Sequence, residues 1–302
     1  MGGYFGARLA QGGCDVGFVA RGDQLRALRE NCLRVESQLG DIHIPHVRAG
    51  DDPAALGPAD VVLICVKLWD TESAARAAAP VLTPESMVIS LQNGISKEDT
   101  LRQVLGDEAV VGGLCYIGSK ILRPGVIQHT GTIQKIIFGE LDGRPSARTE
   151  AFLAACVRGG IEAEISPDIR RAIWEKCVFI TGVSAVTTAM RSPVGLIRSD
   201  PRTRAFLLDL MREVVAVGRA LGINIDEDFA ESRLPFCDSL PAEMTSSMHH
   251  DLQQGRRLEV PWLSGRIVEL GKSVGVPTPL NRAVSDILAL ATYTADTSPA
   301  SS

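Results

Sequence analysis

The sequence lacks a run of apolar residues long enough to cross a membrane, and it lacks a block of basic residues. Its longest apolar runs, such as Val61–Val66, fall far short of the roughly 20 residues that a membrane span needs. The formal net charge of -5 gives the chain no general attraction to nucleic acid or to an anionic membrane surface. We therefore expect neither a membrane nor a nucleic acid as a partner.

The sequence also lacks a Cys-x-x-Cys pair and a set of histidines with metal-ligand spacing. Most of the 7 cysteines lie in apolar segments, which is typical of reduced cysteines in a protein core. His249 and His250 are adjacent on a predicted helix, where their side chains point about 100° apart. These absences argue against metal catalysis and favour a cytoplasmic protein.

What is present is the composition of a folded protein with the length of two domains. The chain has 302 residues, of which 45% are hydrophobic and 22% are charged. Apolar strands alternate with helical segments over residues 1–165, which predicts an α/β, Rossmann-type dinucleotide-binding domain with a parallel sheet. Ile127–His129 and Ile133–Phe138 are predicted to form a hairpin added to that sheet. From Ser166 onward helical periodicity predicts an all-α domain over residues 166–302.

The chain opens with a helix that begins on Gly2 and Gly3 and is followed by a strand ending near Arg21. A helix N-terminus without side chains can approach a phosphate closely. Arg21 could pair with a ribose 2′-phosphate, although it could equally be a surface charge. The first strand and leading glycines of such a unit are absent. We therefore expect the natural protein to begin about ten residues earlier, with an apolar strand ending in Gly-x-Gly.

Two further predicted strands end in residues that could contact a ligand. Lys67 follows one of them, and Asn93 follows the next. The carboxyl ends of parallel strands meet at the edge of the sheet where α/β proteins bind ligands. Lys67 could instead extend into solvent, and Asn93-Gly94 could be an ordinary turn.

The second domain begins with a helix that carries a stripe of residues spaced three or four apart. The stripe consists of Ile169, Ile173, Lys176, Ile180, Ser184 and Thr187. A lysine within such a mostly apolar face loses hydration, which makes it a usable proton donor. The alternative is a lysine at the rim of the stripe with its amine in water.

A second cluster lies later in the helical half. Ser247 follows Ser246 on a predicted helix, and Glu259 follows twelve residues after it. Ser247 could bind a substrate or could be a surface hydroxyl. Glu259 precedes Pro261 and could serve only to favour a helix N-terminus.

Together these residues resemble the 2-dehydropantoate 2-reductases, also called ketopantoate reductases, over essentially the whole chain. The resemblance is carried by Gly2-Gly3, Arg21, Lys67, Gln92-Asn93-Gly94, Trp174-Glu175-Lys176, Ser246-Ser247-Met248 and Glu259. It implies NADPH-dependent reduction of a 2-oxo acid to a 2-hydroxy acid. It implies cofactor-binding roles for Gly2, Gly3, Arg21, Lys67 and Asn93, catalytic roles for Lys176 and Glu259, and substrate-binding roles for Asn93, Ile180, Ser184 and Ser247. The expected partner is a small-molecule 2-oxo acid, and a homodimer is the candidate assembly.

The sequence departs from the family at two positions of the Lys176 stripe. Family members carry Asn at the fourth and eighth positions after the catalytic lysine, where this chain has Ile180 and Ser184. The change favours a substrate more apolar than 2-dehydropantoate. Two other functions stay open: a regulatory nucleotide-binding protein without turnover, and an opine- or 3-hydroxyacyl-type dehydrogenase. The second would need a catalytic histidine at the start of the helical domain, where the sequence has none.

Overall fold

The computed structural model describes residues 1–292, so the predicted second domain is described except for residues 293–302. The chain forms two compact units. The first consists of Met1–Gln92 and Ser96–Ala172, and the second of Asn93–Ile95 together with the residues from Ile173 onward. The short segment Asn93–Ile95 therefore belongs to the second unit, although both of its flanks belong to the first.

The first unit alternates strands and helices. Its regular elements are α1 (Gly2–Gln11), β1 (Gly17–Val19), α2 (Gly22–Glu30), β2 (Leu33–Glu36), β3 (Ile42–Ile44), β4 (Arg48–Gly50), β5 (Val61–Ile64), α3 (Thr71–Ala78), β6 (Met87–Ser90), α4 (Lys97–Leu105), β7 (Val110–Arg123), β8 (Val126–Gly139), α5 (Ala147–Arg158) and β9 (Glu162–Ile165). Helix α5 starts at a capping box in which Ser146 and Thr149 bond each other's backbone N–H groups.

The main sheet is mixed. Strands β5, β6 and β7 are parallel neighbours, and every residue of β6 is buried, as in a strand covered on both faces. Strand β7 then pairs antiparallel with β8, and both β2 and β9 run parallel to β8. Within residues 1–292, β1 and β4 form a separate two-stranded parallel sheet.

The predicted hairpin between Ile127–His129 and Ile133–Phe138 is wrong. Both segments belong to the single strand β8, and the hairpin is formed by β7 and β8. The ladder passes from the pair Ile117–Gln134 to the pair Gly118–Thr130, so three residues of β8 have no partner in β7. The turn-like residues around Gly131 therefore mark a bulge within a strand.

Helix α1 lies directly against two strand ends because its first residues have no side chains. A Cβ on Gly2 would lie 3.2 Å from Cβ of Cys65, and one on Gly3 would lie 3.0 Å from Cδ1 of Ile127. A side chain at either position would crowd these atoms, which would have to shift slightly to make room. The buried face of α1 includes Tyr4 and Phe5, which are core residues of the first unit.

The second unit is helical throughout its described part. Its elements are α6 (Ile169–Ala189), within which the division between the units falls, α7 (Val194–Ser199), α8 (Pro201–Ala220), α9 (Phe229–Ser239), α10 (Ser247–Gln253), α11 (Ser264–Val274) and α12 (Pro279–Ile287). Helix α8 begins where Asp200 accepts the backbone N–H of Arg202 and Pro201 fills the first position. None of the helices in residues 1–292 has the length and apolar composition needed to cross a bilayer. The predicted fold class, an α/β domain followed by an all-α domain, is confirmed.

A bidentate ion pair fixes the segments that precede β6 and β7. Nε and Nη2 of Arg148 each donate to the carboxylate of Glu140 at 2.8 Å. Nη1 of Arg148 donates to the carbonyls of Ser86, at 3.1 Å, and of Glu108, at 2.7 Å. Burial alone would raise the pKa of Glu140, but the hydrogen bonds from Arg148 and Ser146 outweigh burial and lower it below the usual value of 4.5.

Replacing Arg148 by Met should lower the free energy of unfolding at pH 7 by about 1.5–3 kcal/mol, the usual effect of hydrogen bonds to a charged group. Because the folded pKa of Glu140 is lowered, its contribution is complete above pH 4.5 and is lost as the pH falls through the folded pKa. The difference between wild type and Arg148→Met should therefore shrink on acidification. Urea unfolding at several pH values measures it, and a difference that does not change with pH would contradict this role.

The control is Arg144→Met, which removes an exposed arginine paired with Asp142. That change should alter stability by less than about 0.5 kcal/mol.

Candidate active site

Lys176 lies in a buried part of α6 and contacts a residue from a distant part of the sequence. The residue is 7% exposed, and its Nζ donates a hydrogen bond to Oδ1 of Asn93 at 2.8 Å. The next residues on the helix, Cys177 and Val178, are buried core residues. The predicted apolar setting of Lys176 is confirmed, and the alternative of an amine in open water does not fit this burial. An amide oxygen can only accept, so the lysine nitrogen is the donor in this hydrogen bond.

The rotation of α6 that buries Lys176 is fixed by a close contact two residues earlier. Trp174 packs on Gly218 of α8, where a Cβ would lie 2.8 Å from Cε3 of the indole ring. A side chain at position 218 would overlap the ring unless one of the two shifted, so the glycine lets α8 lie close to α6 at this point. The Trp-Glu-Lys motif therefore places a packing residue two positions before the buried lysine.

The start of α10 is bonded to the far end of α6. Oγ1 of Thr187 donates to Oγ of Ser246 at 2.8 Å, and that same Oγ accepts the backbone N–H of His249 at 3.1 Å. Nδ1 of His249 lies 2.7 Å from the carbonyl oxygen of Thr187. These contacts hold the first turn of α10, and with it Ser247, at a set place along α6.

The structure places the other predicted residues of the second unit as follows. Ile180 is half-buried and packs against the unit's core, whereas Ser184 is 4% exposed. Ser247 is the exposed first residue of α10. Glu259 is half-buried and directly precedes a 3-10 helix at Val260–Trp262. The structure brings two of the predicted site residues, Lys176 and Asn93, into direct contact.

The predicted residues of the first unit lie at strand and helix ends. Gly2 and Gly3 form the first turn of α1, where the structure shows no acidic side chain and no side-chain cap. Arg21 is exposed and directly precedes α2, and Lys67 is half-buried with its Nζ 5.8 Å from the ring centre of Trp69.

These residues fit a phosphate-bearing dinucleotide, because they offer bare backbone at a helix N-terminus and two cationic side chains. Cys65, beside Gly2, takes no part as a thiolate, because burial raises the pKa of its thiol to about 12.

The sequence interpretation missed a buried ion pair formed by Lys97 and Glu98 at the start of α4, a few residues after Asn93. A lysine followed by a glutamate at the start of a helix is typical of a solvent-exposed surface. A signal was available, since Lys97, Leu101 and Leu105 recur every four residues and Leu101 is fully buried. The same periodicity argument that singled out Lys176 would have singled out Lys97.

Comparison with known proteins matches both halves of the chain to one family. Residues 1–143 match the family model "Ketopantoate reductase PanE/ApbA", and residues 168–291 match "Ketopantoate reductase PanE/ApbA C terminal". The chain is 31% identical to 2-dehydropantoate 2-reductase of Halobacterium salinarum, over 96% of this chain and 95% of the relative.

Two solved structures show the same fold. The structure of 2-dehydropantoate 2-reductase from Geobacter metallireducens is 30% identical, with a TM-score of 0.89 and 96% of each chain covered. A ternary structure of D-mandelate dehydrogenase with NADH and anilino(oxo)acetate has a TM-score of 0.88 over 97% of this chain and 95% of that one. At 18% identity, that likeness shows a shared fold and nothing further.

Proposed function

Because the chain belongs to the ketopantoate reductase family of oxidoreductases, we propose that it catalyses the NADPH-dependent reduction of a 2-oxo acid to a 2-hydroxy acid. The observation that carries the proposal is the 2.8 Å hydrogen bond from the buried Lys176 ammonium to Asn93. In this proposal residues 1–165 bind the dinucleotide, and residues 166–302 bind the substrate and supply the proton.

Lys176 is the general acid of the proposed reaction. NADPH, when bound, supplies a hydride to the carbonyl carbon of the substrate. Lys176 gives a proton from Nζ to the carbonyl oxygen as negative charge develops there, and solvent later restores that proton. Asn93 holds Nζ in place through its amide oxygen, and Ser247 and Glu259 bind the polar groups of the substrate.

Gly2, Gly3, Arg21 and Lys67 are proposed to bind the cofactor, with Asn93 beside them. Arg21 favours NADPH over NADH, because a guanidinium forms charge-assisted bonds with a 2′-phosphate that NADH does not have.

A non-catalytic, nucleotide-binding regulatory protein is the alternative function. The buried Lys176–Asn93 bond favours the enzyme, because burying an ammonium costs free energy that a protein without turnover has no need to spend. The cytoplasm is the proposed compartment, supported by seven cysteines that are all free thiols. The homodimer stays a prediction.

Replacing Lys176 by Ala should lower kcat for 2-oxo acid reduction by about 10²- to 10⁴-fold, the usual effect of removing a positioned acid. The binding of NADPH, measured by fluorescence titration, should be retained. Lys272→Ala, which removes an exposed lysine in the last turn of α11, is the matched control and should leave kcat unchanged. Near-normal turnover in Lys176→Ala would remove Lys176 from the mechanism. The absence of turnover in the wild type, tested on a panel of 2-oxo acids with NADPH, would favour the regulatory alternative.

Replacing Arg21 by Ala should raise the KM for NADPH by about 10- to 150-fold, because hydrogen bonds to a charged group contribute about 1.5–3 kcal/mol. The KM for NADH should change little. Arg26→Ala removes another exposed arginine, one turn into α2, and should alter neither constant. Equal losses with both cofactors in Arg21→Ala would show that the arginine does not recognise the 2′-phosphate.

Ile180 and Ser184 should favour a 2-oxo acid with a branched or aromatic apolar side chain over 2-dehydropantoate. A substrate hydroxyl facing the hydrocarbon of Ile180 would lose about 1–3 kcal/mol, and the hydroxyl of Ser184 is shorter than an Asn amide. The change Ile180→Asn with Ser184→Asn should therefore raise kcat/KM for 2-dehydropantoate relative to the apolar acid.

Ile287→Asn, at an exposed position on α12, is the control and should leave that ratio unchanged. If the wild type already prefers 2-dehydropantoate and the double variant gains nothing, these two positions do not set specificity.

A further inference from the structure

The loop between β6 and α4, which carries Asn93, is held at both ends by buried polar side chains. We propose that Gln92 and the Lys97–Glu98 pair are positioning residues that keep the amide of Asn93 where it receives the ammonium of Lys176. The inference rests on the proposed function, since it assigns these residues a part in holding the proton donor.

Gln92 fixes the loop on the side of β6. It is 2% exposed, and its Nε2 donates to the carbonyl of Val66 and to Oγ1 of Thr71, each at 2.9 Å. Its Oε1 accepts a hydrogen bond from Oγ of Ser90 at 2.8 Å. Both amide hydrogens and the amide oxygen are therefore engaged, and the residue before Asn93 is bonded to the segment that follows β5.

Lys97 fixes the loop on the side of α4. Its side chain is 1% exposed, and that of Glu98 is 8% exposed. Nζ donates to the carbonyls of Ser90, at 3.2 Å, and of Gly113, at 2.6 Å, and to Oε1 of Glu98. The three ammonium hydrogens have three acceptors, two of them carbonyls on the neighbouring strands β6 and β7.

The two attachments leave little freedom to the residues between them. Only four residues separate Gln92 from Lys97, and one of these, Gly94, turns the chain with a φ of 88°. Ile95 packs against the core of the second unit. A short loop fixed at both ends presents the Asn93 amide in one place, which is the preorganisation that proton transfer needs.

A purely structural role would not require a buried ion pair such as that of Lys97 and Glu98. A buried ion pair contributes little net stability compared with apolar residues of similar size, so its presence calls for another explanation. We infer that the pair fixes Lys97, the residue at the end of the Asn93 loop, on strands β6 and β7 more tightly than apolar packing would.

The test is a double-mutant cycle. Lys97→Met with Glu98→Gln removes both charges and keeps the side-chain sizes, and Asn93→Ala removes the amide. With Asn93 present, the paired change should lower kcat by about 10- to 100-fold, the effect of a misplacement of the order of 1 Å. With Asn93 replaced by Ala, the same change should lower kcat by less than about twofold, because the positioned group is already absent.

The matched control is Arg148→Met with Glu140→Gln, which removes the ion pair near the opposite end of β6. It should reduce stability and leave kcat unchanged. If Lys97→Met with Glu98→Gln does not fold, Gln92→Met enters the same cycle with the same expectation.

Hydrogen exchange provides a readout that does not depend on activity. Amides of residues 91–96 should exchange faster in the Lys97 and Glu98 variant than in the control. Equal kcat losses with and without Asn93, no loss at all, or unchanged exchange in residues 91–96 would each overturn the positioning role. A wild type that reduces no 2-oxo acid would contradict the proposed function, and the exchange result alone would then decide whether the loop is held by these residues.

Discussion

The hydrogen bond between Lys176 and Asn93 is the interaction on which the rest of the site depends. It joins residues 83 positions apart in the sequence and gives a buried ammonium an uncharged acceptor. Burying a lysine without a partner would cost several kcal/mol or lead to loss of its proton. The amide oxygen of Asn93 is one acceptor that offsets part of this cost, and it leaves the lysine nitrogen as the donor of the bond.

Two kinds of packing support that contact. On the helical side, Trp174 against Gly218 sets the rotation of α6, and the bonds among Thr187, Ser246 and His249 set the start of α10. Around the loop of Asn93, the contacts of Gln92 and Lys97 lie one residue before the amide and four residues after it. Several of these side chains bond to backbone groups: His249 contacts the carbonyl of Thr187, Gln92 donates to the carbonyl of Val66, and Lys97 donates to the carbonyl of Ser90.

The sequence predicted those parts of the structure that depend on local pattern. The alternation of apolar strands with helices before residue 165 and the helical periodicity from Ser166 onward are both visible in local sequence pattern, and the structure shows both. The stripe that places Lys176 in an apolar face was predicted on the same basis. Strands β2, β3 and β4 were not predicted, since they are three or four residues long and are stabilised by distant partners.

Features that depend on distant backbone groups could not be predicted. Two of the three acceptors of Lys97 are the backbone carbonyl oxygens of Ser90 and Gly113, which leave no trace in residue identity. The bulge in β8 resembles a turn because Thr130-Gly131-Thr132 has turn composition, although β7 continues the ladder on either side of it. The family was evident from motifs, whereas the proposed preference for a more apolar substrate rests on the two stripe positions where this chain differs from the family.

The central claim is that this chain delivers a hydride from NADPH and a proton from the protein to a 2-oxo acid. The most direct measurement uses NADPH deuterated at the transferred position, with mass spectrometry and NMR of the product. The account predicts a 2-hydroxy acid with one deuterium on carbon 2 when the reaction is run in H₂O, and none on that carbon when unlabelled NADPH is used in D₂O. A product whose carbon-2 hydrogen comes from solvent, or no 2-hydroxy acid from any 2-oxo acid tested, would contradict it.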